Sequence, residues 1–325
     1  VAEPSVIKSG LRAHLPVFQP RRPRRFRWFT LAAGLACALF PVAASAETVL
    51  EKALRTGELV MVGSPDSPPL ASLDAKGQPV GYAVEVGRRI DQELSSQLGG
   101  KVQIRFVPVP NAAAMVQAVA TGGAALACGV PFSWEREMVV DYSIPIGLSG
   151  LRVLTGSTAI DGSAASLAGR RIATVQGSKG ADALATLQPA ARAVSFESLD
   201  AAVSALKQGK VDGVLGDSNG LAGLRKTRAM TARLVPSEPY ASYGVGCIVP
   251  QNSSDFLNIV NLAIAKQQVG YLEGRPDAVA SIDPWVGPNG VLGIPSDQIR
   301  AFFQANLINL EPLLLGPAPA GRPAP

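Results

Sequence analysis

Beyond residue 46 the chain contains no histidine, because the one histidine in 325 residues is His14. Ser-His-Asp and Cys-His mechanisms need an imidazole to take and return a proton, and a His-based metal site needs it as a ligand, so residues 47–325 can build neither. Cysteine is scarce as well. Only Cys128 and Cys247 follow the N-terminal stretch that holds Cys37. An even pair in an exported chain is read either as one disulfide or as two separately buried thiols. Long apolar runs are missing too. The stretch from Trp28 to about Ala43 falls short of the roughly 20 residues of a comfortable membrane span. It follows the basic run Arg21, Arg22, Arg24, Arg25 and Arg27 and ends in Ala44-Ser45-Ala46. That order is the pattern of a secretory signal peptide with cleavage before Glu47, so residues 1–46 are read as an N-terminal extension and leader, and the remainder as exported.

An excess of charge of one sign is also lacking. Seven of the 30 basic side chains but only one of the 25 acidic ones precede Glu47, which leaves 23 basic against 24 acidic, a net charge of −1. The basic balance of the whole chain belongs to the leader. A nucleic-acid partner wants a basic face, and none is indicated. No cofactor or metal is expected.

What is present is alternation. Strands are predicted at 59–63, 102–107 and 124–130, with helices over 80–98 and 112–120 between them. A second round follows, with strands at 151–154, 171–175, 193–196 and 211–215 and helices over 180–187 and 199–208. Such βαβα order implies α/β architecture, with mostly parallel sheets covered by helices on both faces. The rounds rhyme: VQAVATGGAALACGV (116–130) and VSALKQGKVDGVLGD (203–217) each run from a helix through a glycine turn into a small-residue strand. Two similar α/β lobes predict a ligand cleft between them. A strand at 244–249, a helix over 256–271 and a last helix from Pro295-Ser296-Asp297 to Asn306 complete the pattern. The proline-rich stretch 316–325 has no apolar periodicity and reads as a disordered tail.

Five segments, in order, resemble the family 3 extracellular solute-binding proteins, the periplasmic receptors of polar amino-acid ABC importers. They are LVMVGSPDSPPL (59–70), DAKGQPVGYAVEVGRRI (74–90), WEREMVVDYSIPI (134–146), LAGRRIATVQGS (167–178) and GKVDGVLGD (209–217). The resemblance covers about residues 55–287. It implies a two-lobed type II periplasmic-binding-protein fold, two doubly wound sheets joined by a two-strand hinge crossed near 147–152 and 238–244. Lobe one would span 47–149 and 241–315, and lobe two 150–240. The resemblance also sets the strands of Cys128 and Cys247 side by side, and it permits a disulfide if their register makes them near neighbours.

By the same resemblance Arg136 matches the arginine that grips a ligand α-carboxylate. A guanidinium offers two parallel donors that fit a carboxylate, although an arginine flanked by Glu135 and Glu137 also reads as a surface ion pair. Asp217 matches the acid that pairs with the α-amino group, and Asp-Ser-Asn-Gly at 217–220 reads equally as a turn or helix cap. Gly177 and Ser178 precede a predicted helix, where free amides and a hydroxyl offer anion donors. Gly129 offers a backbone amide. The aromatic walls common in the family are missing, with Ser67, Leu70, Pro110 and Asn111 at those positions, and Ala83 stands where the family has an acid; Asp66, Trp134 and Tyr243 are candidate replacements. The implied function is capture of a small polar ligand, an amino acid, by a monomer that an ABC permease or a membrane signalling protein reads when it closes. Two other readings stand beside it. One is an orphan binding-like protein that recognises a modified peptide or protein without transport. The other is a small carboxylic-acid dehydratase with Asp217 or Asp66 as general acid.

Overall fold

A computed structural model describes residues 47–99 and 102–308. The expected leader and proline-rich tail lie outside the described residues. In chain order the elements are α1 (Val49–Thr56), β1 (Glu58–Gly63), β2 (Ser72–Leu73), β3 (Pro79–Val80), α2 (Tyr82–Leu98), β4 (Gln103–Pro108), α3 (Ala112–Ala120), β5 (Leu126–Pro131), α4 (Trp134–Glu137), β6 (Val140–Tyr142) and β7 (Gly147–Thr155). There follow α5 (Ala164–Leu167), β8 (Arg171–Val175), α6 (Lys179–Leu187), β9 (Arg192–Phe196), α7 (Leu199–Lys207), β10 (Gly213–Asp217), α8 (Ser218–Thr227), β11 (Arg233–Val235), β12 (Ser242–Pro250), α9 (Ser254–Leu272), α10 (Pro276–Ile282) and α11 (Ser296–Ile308).

The strands form two half-sheets that meet along β7 and β12. In the first, β1 lies parallel to β4 and β5, and β12 returns antiparallel beside β5. In the second, β8 lies parallel to β9 and β10, while β7 runs antiparallel to β10. The join is the antiparallel pairing of Gly147–Gly150 with Ser242–Val245. β7 starts in the first half-sheet and ends in the second, and β12 brings the chain back beside its start, so the two lobes are joined by a two-strand hinge.

Alternation along each strand sends side chains to opposite faces, and each face is covered by helices. On β1, Leu59 and Met61 enter a core built with Val86, Ile90 and Leu94 of α2 and Phe256, Val260 and Ile264 of α9, whereas Val62 joins Met115 and Val119 of α3 on the other face. The fourfold spacing of Val86, Ile90 and Leu94 keeps them on one face of their helix. Ile299 and Phe303 of α11 are buried in the same core as α9. In lobe two, Val214 packs with Ala202, Leu221 and Leu224, and its neighbour Leu215 points the other way to Ile172 and Leu184.

Two local readings need correction. The helix expected from Val80 starts at Tyr82, and Val80 sits in a short strand paired with Ser72. Gly81 separates them at φ +137°, where a Cβ would lie 2.3 Å from the Leu70 carbonyl oxygen, so the chain can approach that loop only as glycine. The segment after Asp217, which also reads as a turn, is the ten-residue helix α8.

Candidate ligand-binding site

Between the lobes lies a cavity of about 110 Å³, lined from lobe one by Ser64, Ser67, Leu70, Gly129 and Arg136 and from lobe two by Ser178, Lys179 and Asp217, with Tyr243 of the hinge. Tyr243 is the one aromatic side chain in its lining.

Arg136 is carried by α4, a single turn whose start is capped by the Ser133 hydroxyl, which accepts from the Arg136 amide at 3.4 Å. Its guanidinium donates to the Pro131 carbonyl at 2.7 Å and reaches across to the Gly177 carbonyl of lobe two at 3.4 Å. It makes no ion pair with Glu135 or Glu137 within 4.0 Å, so the surface-pair alternative is not what these residues form.

Asp217 ends β10, caps α8 and lines the cavity. Its Oδ1 accepts from the Gly220 amide at 2.9 Å, and Oδ2 accepts from the Tyr243 hydroxyl at 2.9 Å. Burial pushes its carboxyl above the ordinary range, against the pull of these donors. The Ser149 hydroxyl and the Asn219 amide also act on the carboxyl as donors. Beyond the cap, Asn219 Nδ2 donates to the Leu148 carbonyl at 2.7 Å and Ser218 Oγ accepts from the Gly150 amide at 3.2 Å, so the start of α8 rests on the hinge strand.

Gly177 and Ser178 lie at the start of α6 as expected, but the donors there differ. The Ser178 amide is spent on the Val175 carbonyl at 3.1 Å, and its hydroxyl accepts from the Ala181 amide at 3.3 Å. The helix-start amides without a backbone acceptor among the described residues are those of Lys179 and Gly180. Gly177, at φ +65°, sits so close to lobe one that a Cβ would lie 2.8 Å from Ala113 Cβ. Gly129, at φ +87°, lines the cavity wall beside Leu70.

Asp66 and Trp134 do not belong to this cavity. Asp66 is exposed on the loop after β1, where partial burial and the nearby Asp200 raise its carboxyl above the ordinary range against the pull of Arg228. Trp134 is 74% exposed and its ring lies edge-on to Phe132 with centroids 5.0 Å apart. The cap at Ser133 turns Arg136 inward, and the same short turn sends Trp134 outward.

Three contributors lay outside the candidate set or at its edge. Lys179, the first residue of α6, places Nζ 5.3 Å from the centre of the Tyr243 ring. Burial and the nearby Arg136 charge hold its ammonium below the usual lysine range. Its signal in the sequence is position: it directly follows the Gly177-Ser178 turn. Asn111 caps α3 through Oδ1 and donates from Nδ2 to the Glu197 carbonyl of lobe two at 2.8 Å. Tyr243 links Asp217 to the hinge. Behind the cavity wall, Cys128 and Cys247 face each other in the β5–β12 register and form a disulfide, with Cα atoms 3.9 Å apart. Among the described residues no group of three or more His, Cys, Asp or Glu side chains gathers to hold a metal, and no helix is long and apolar enough to cross a membrane.

A hinge of two strands with a cavity between two α/β lobes defines a binding protein of the two-lobed periplasmic type. The sequence from 59 to 283 matches the model of the bacterial extracellular solute-binding proteins, family 3, and the chain belongs to that family. No curated protein sequence matches the chain significantly. Among solved structures, it is similar to the solute receptor for L-cysteine of Neisseria gonorrhoeae (TM-score 0.64, 22% identity, covering 74% of this chain and 96% of that one). A mutant of ArgBP from T. maritima aligns with TM-score 0.63 and 21% identity over 73% of this chain and 99% of that one. The ancestral amino acid-binding protein AncCDT-1, described as a precursor of cyclohexadienyl dehydratase, aligns with TM-score 0.62 and 21% identity over 74% of this chain and all of that one. At these identities the likeness speaks for the fold.

Proposed function

We propose that the protein is exported and captures a small polar ligand, an amino acid, by closing its lobes around it, and that an ABC permease or a membrane signalling protein reads the closed form. The observation that carries this is the meeting of Arg136 from lobe one and Asp217 from lobe two on one small cavity. A guanidinium suits an α-carboxylate, and a carboxylate suits an α-ammonium. Closure removes water between them and strengthens both contacts. The basic, apolar and small-residue order of residues 21–46 supports export, as does the extracellular character of the family. The amino-acid ligands named for similar structures point the same way. The reading involves no covalent step.

A thermal-shift screen of amino acids and small carboxylates identifies the ligand, since binding to the native state raises the melting temperature. Calorimetry of that ligand with Arg136→Ala then tests the site. The expected loss is about 2–5 kcal/mol of binding free energy, the usual cost of truncating one partner of a buried charge pair. Unchanged affinity overturns the assignment.

A further inference from the structure

We infer that Lys179 selects the ligand: it adds a second cation to the Arg136–Asp217 cavity, and the molecule held there is a small acidic amino acid whose side-chain anion rests on the Lys179 ammonium. The inference rests on the amino-acid reading above and adds the class of side chain.

The charges in the cavity lining are Arg136, Lys179 and Asp217. A neutral amino acid placed there sets its carboxylate on Arg136 and its ammonium on Asp217, and leaves Lys179 with no counter-ion. No carboxylate lies within 4.0 Å of Lys179 among the described residues. Glu135, on the exposed side of α4, and Asp182, one turn along α6, act on it only at longer range. Its close neighbour is the face of the Tyr243 ring, which attracts a cation without neutralising it. A partly buried ammonium in this condition is costly, and a ligand anion offsets that cost where a neutral side chain cannot. A ligand with a cationic side chain meets two like charges instead. The reduced proton affinity of Lys179 has the same origin, burial beside Arg136, and an anion bound between them reverses it.

Size narrows the choice further. The cavity is about 110 Å³. It lies well below the range of roughly 300–1,000 Å³ common for larger ligands. A short acidic side chain suits a space of that size.

The test is calorimetry of the full chain at neutral pH with L-aspartate, succinate, L-alanine and L-arginine, repeated on Lys179→Met and Lys179→Arg. L-Aspartate is expected to bind the wild type at least about tenfold more tightly than L-alanine, with L-arginine weaker than both. In Lys179→Met the aspartate-to-alanine ratio should collapse towards one, and Lys179→Arg should retain it. If L-alanine or L-arginine binds the wild type as tightly as L-aspartate, or if Lys179→Met keeps the ratio, the role of Lys179 is overturned and amino-acid capture stands. Succinate binding as tightly as L-aspartate overturns the amino-acid part, because the ammonium then adds nothing at Asp217. Failure of the folded wild type to bind any of the four overturns the capture reading itself, and the inference with it.

Discussion

Tyr243 donates its hydroxyl to Asp217 Oδ2 at 2.9 Å, which ties the returning hinge strand to the acid at the end of β10. With the Gly220 amide on Oδ1, both oxygens are held, yet burial still raises the carboxyl above its ordinary 3.8. An acid whose folded pKa is raised binds its proton more tightly folded than unfolded. The stability it contributes is therefore greatest at low pH and is lost as pH rises from the ordinary value to the raised one, then stays level. Asp217→Asn keeps an oxygen for the α8 cap and removes that loss. In the ligand-free protein, its melting temperature relative to wild type should climb with pH across this window, read by thermal melts from about pH 4 to about pH 7. Its affinity for an amino acid should fall by about thirtyfold, since the ammonium loses its charged partner. A melting difference that does not change with pH shows that ionising Asp217 costs the fold nothing.

The fork of Arg136 matters as much as its charge. Its guanidinium already donates to Pro131 and reaches Gly177, so its plane is fixed before a ligand carboxylate arrives. A lysine at 136 supplies a point charge without two parallel donors. Arg136→Lys should fold normally and bind the identified amino acid about tenfold more weakly, less of a loss than Arg136→Ala. Calorimetry separates the three, and equal affinity for Lys and Arg at 136 shows that the fork is not used.

The disulfide spans 119 residues of sequence, and that loop contains all of lobe two. It fastens the outgoing strand β5 to the returning strand β12 in the sheet of lobe one, so it restrains the unfolded chain over a long closure. Chain-entropy arguments put such a bridge at about 5 kcal/mol, or roughly 10–20 °C of melting temperature in a protein of this size. Cys128→Ala with Cys247→Ala should show that decrease, and reductant should lower the wild type towards it. A double variant that melts with the wild type means that the packing of two buried side chains, not the bond, holds this region.

Much of the fold was legible because strand alternation and helix spacing bury the same side chains that the sequence marks as apolar. The span of α3 is the predicted one, and so is that of β8. What escaped did so for identifiable reasons. The first helix, α1, lies outside the predicted elements, although Thr48 and Glu51 form a capping box in which Thr48 Oγ1 accepts from the Glu51 amide at 3.2 Å. Helix α8 hid behind Asn219, Gly220 and Gly223, residues that read as a turn. A Cβ on Gly220 would lie 2.8 Å from Leu199 Cδ2, so close packing selects a residue that local propensity disfavours. At the site, motif spacing brought Arg136, Ser178 and Asp217 to one place, but spacing carries no direction. Asp66 and Trp134 are near in sequence to cavity residues and point elsewhere, and Lys179, marked in the sequence only by following the Gly177-Ser178 turn, gains its role once the start of α6 is seen beside Tyr243.

Gly223 carries the test of closure. It lies on α8 in lobe two, and a Cβ there would stand 2.0 Å from the carbonyl oxygen and 2.5 Å from the carbonyl carbon of Pro68, on the loop of lobe one. Backbone atoms cannot yield by that much, so Gly223→Ala must hold the lobes apart at this contact. The change leaves each lobe's own core untouched, and alanine favours a helix over glycine by about 1 kcal/mol, so the ligand-free protein should melt no lower than wild type. With saturating ligand, small-angle scattering should give a larger radius of gyration for the variant than for wild type. Affinity should drop by about tenfold or more, because the ligand then meets Arg136 and Asp217 only with water between the lobes. If the variant reaches the wild-type radius at wild-type affinity, the Pro68–Gly223 contact is not part of the liganded state, and closure must run about a different axis.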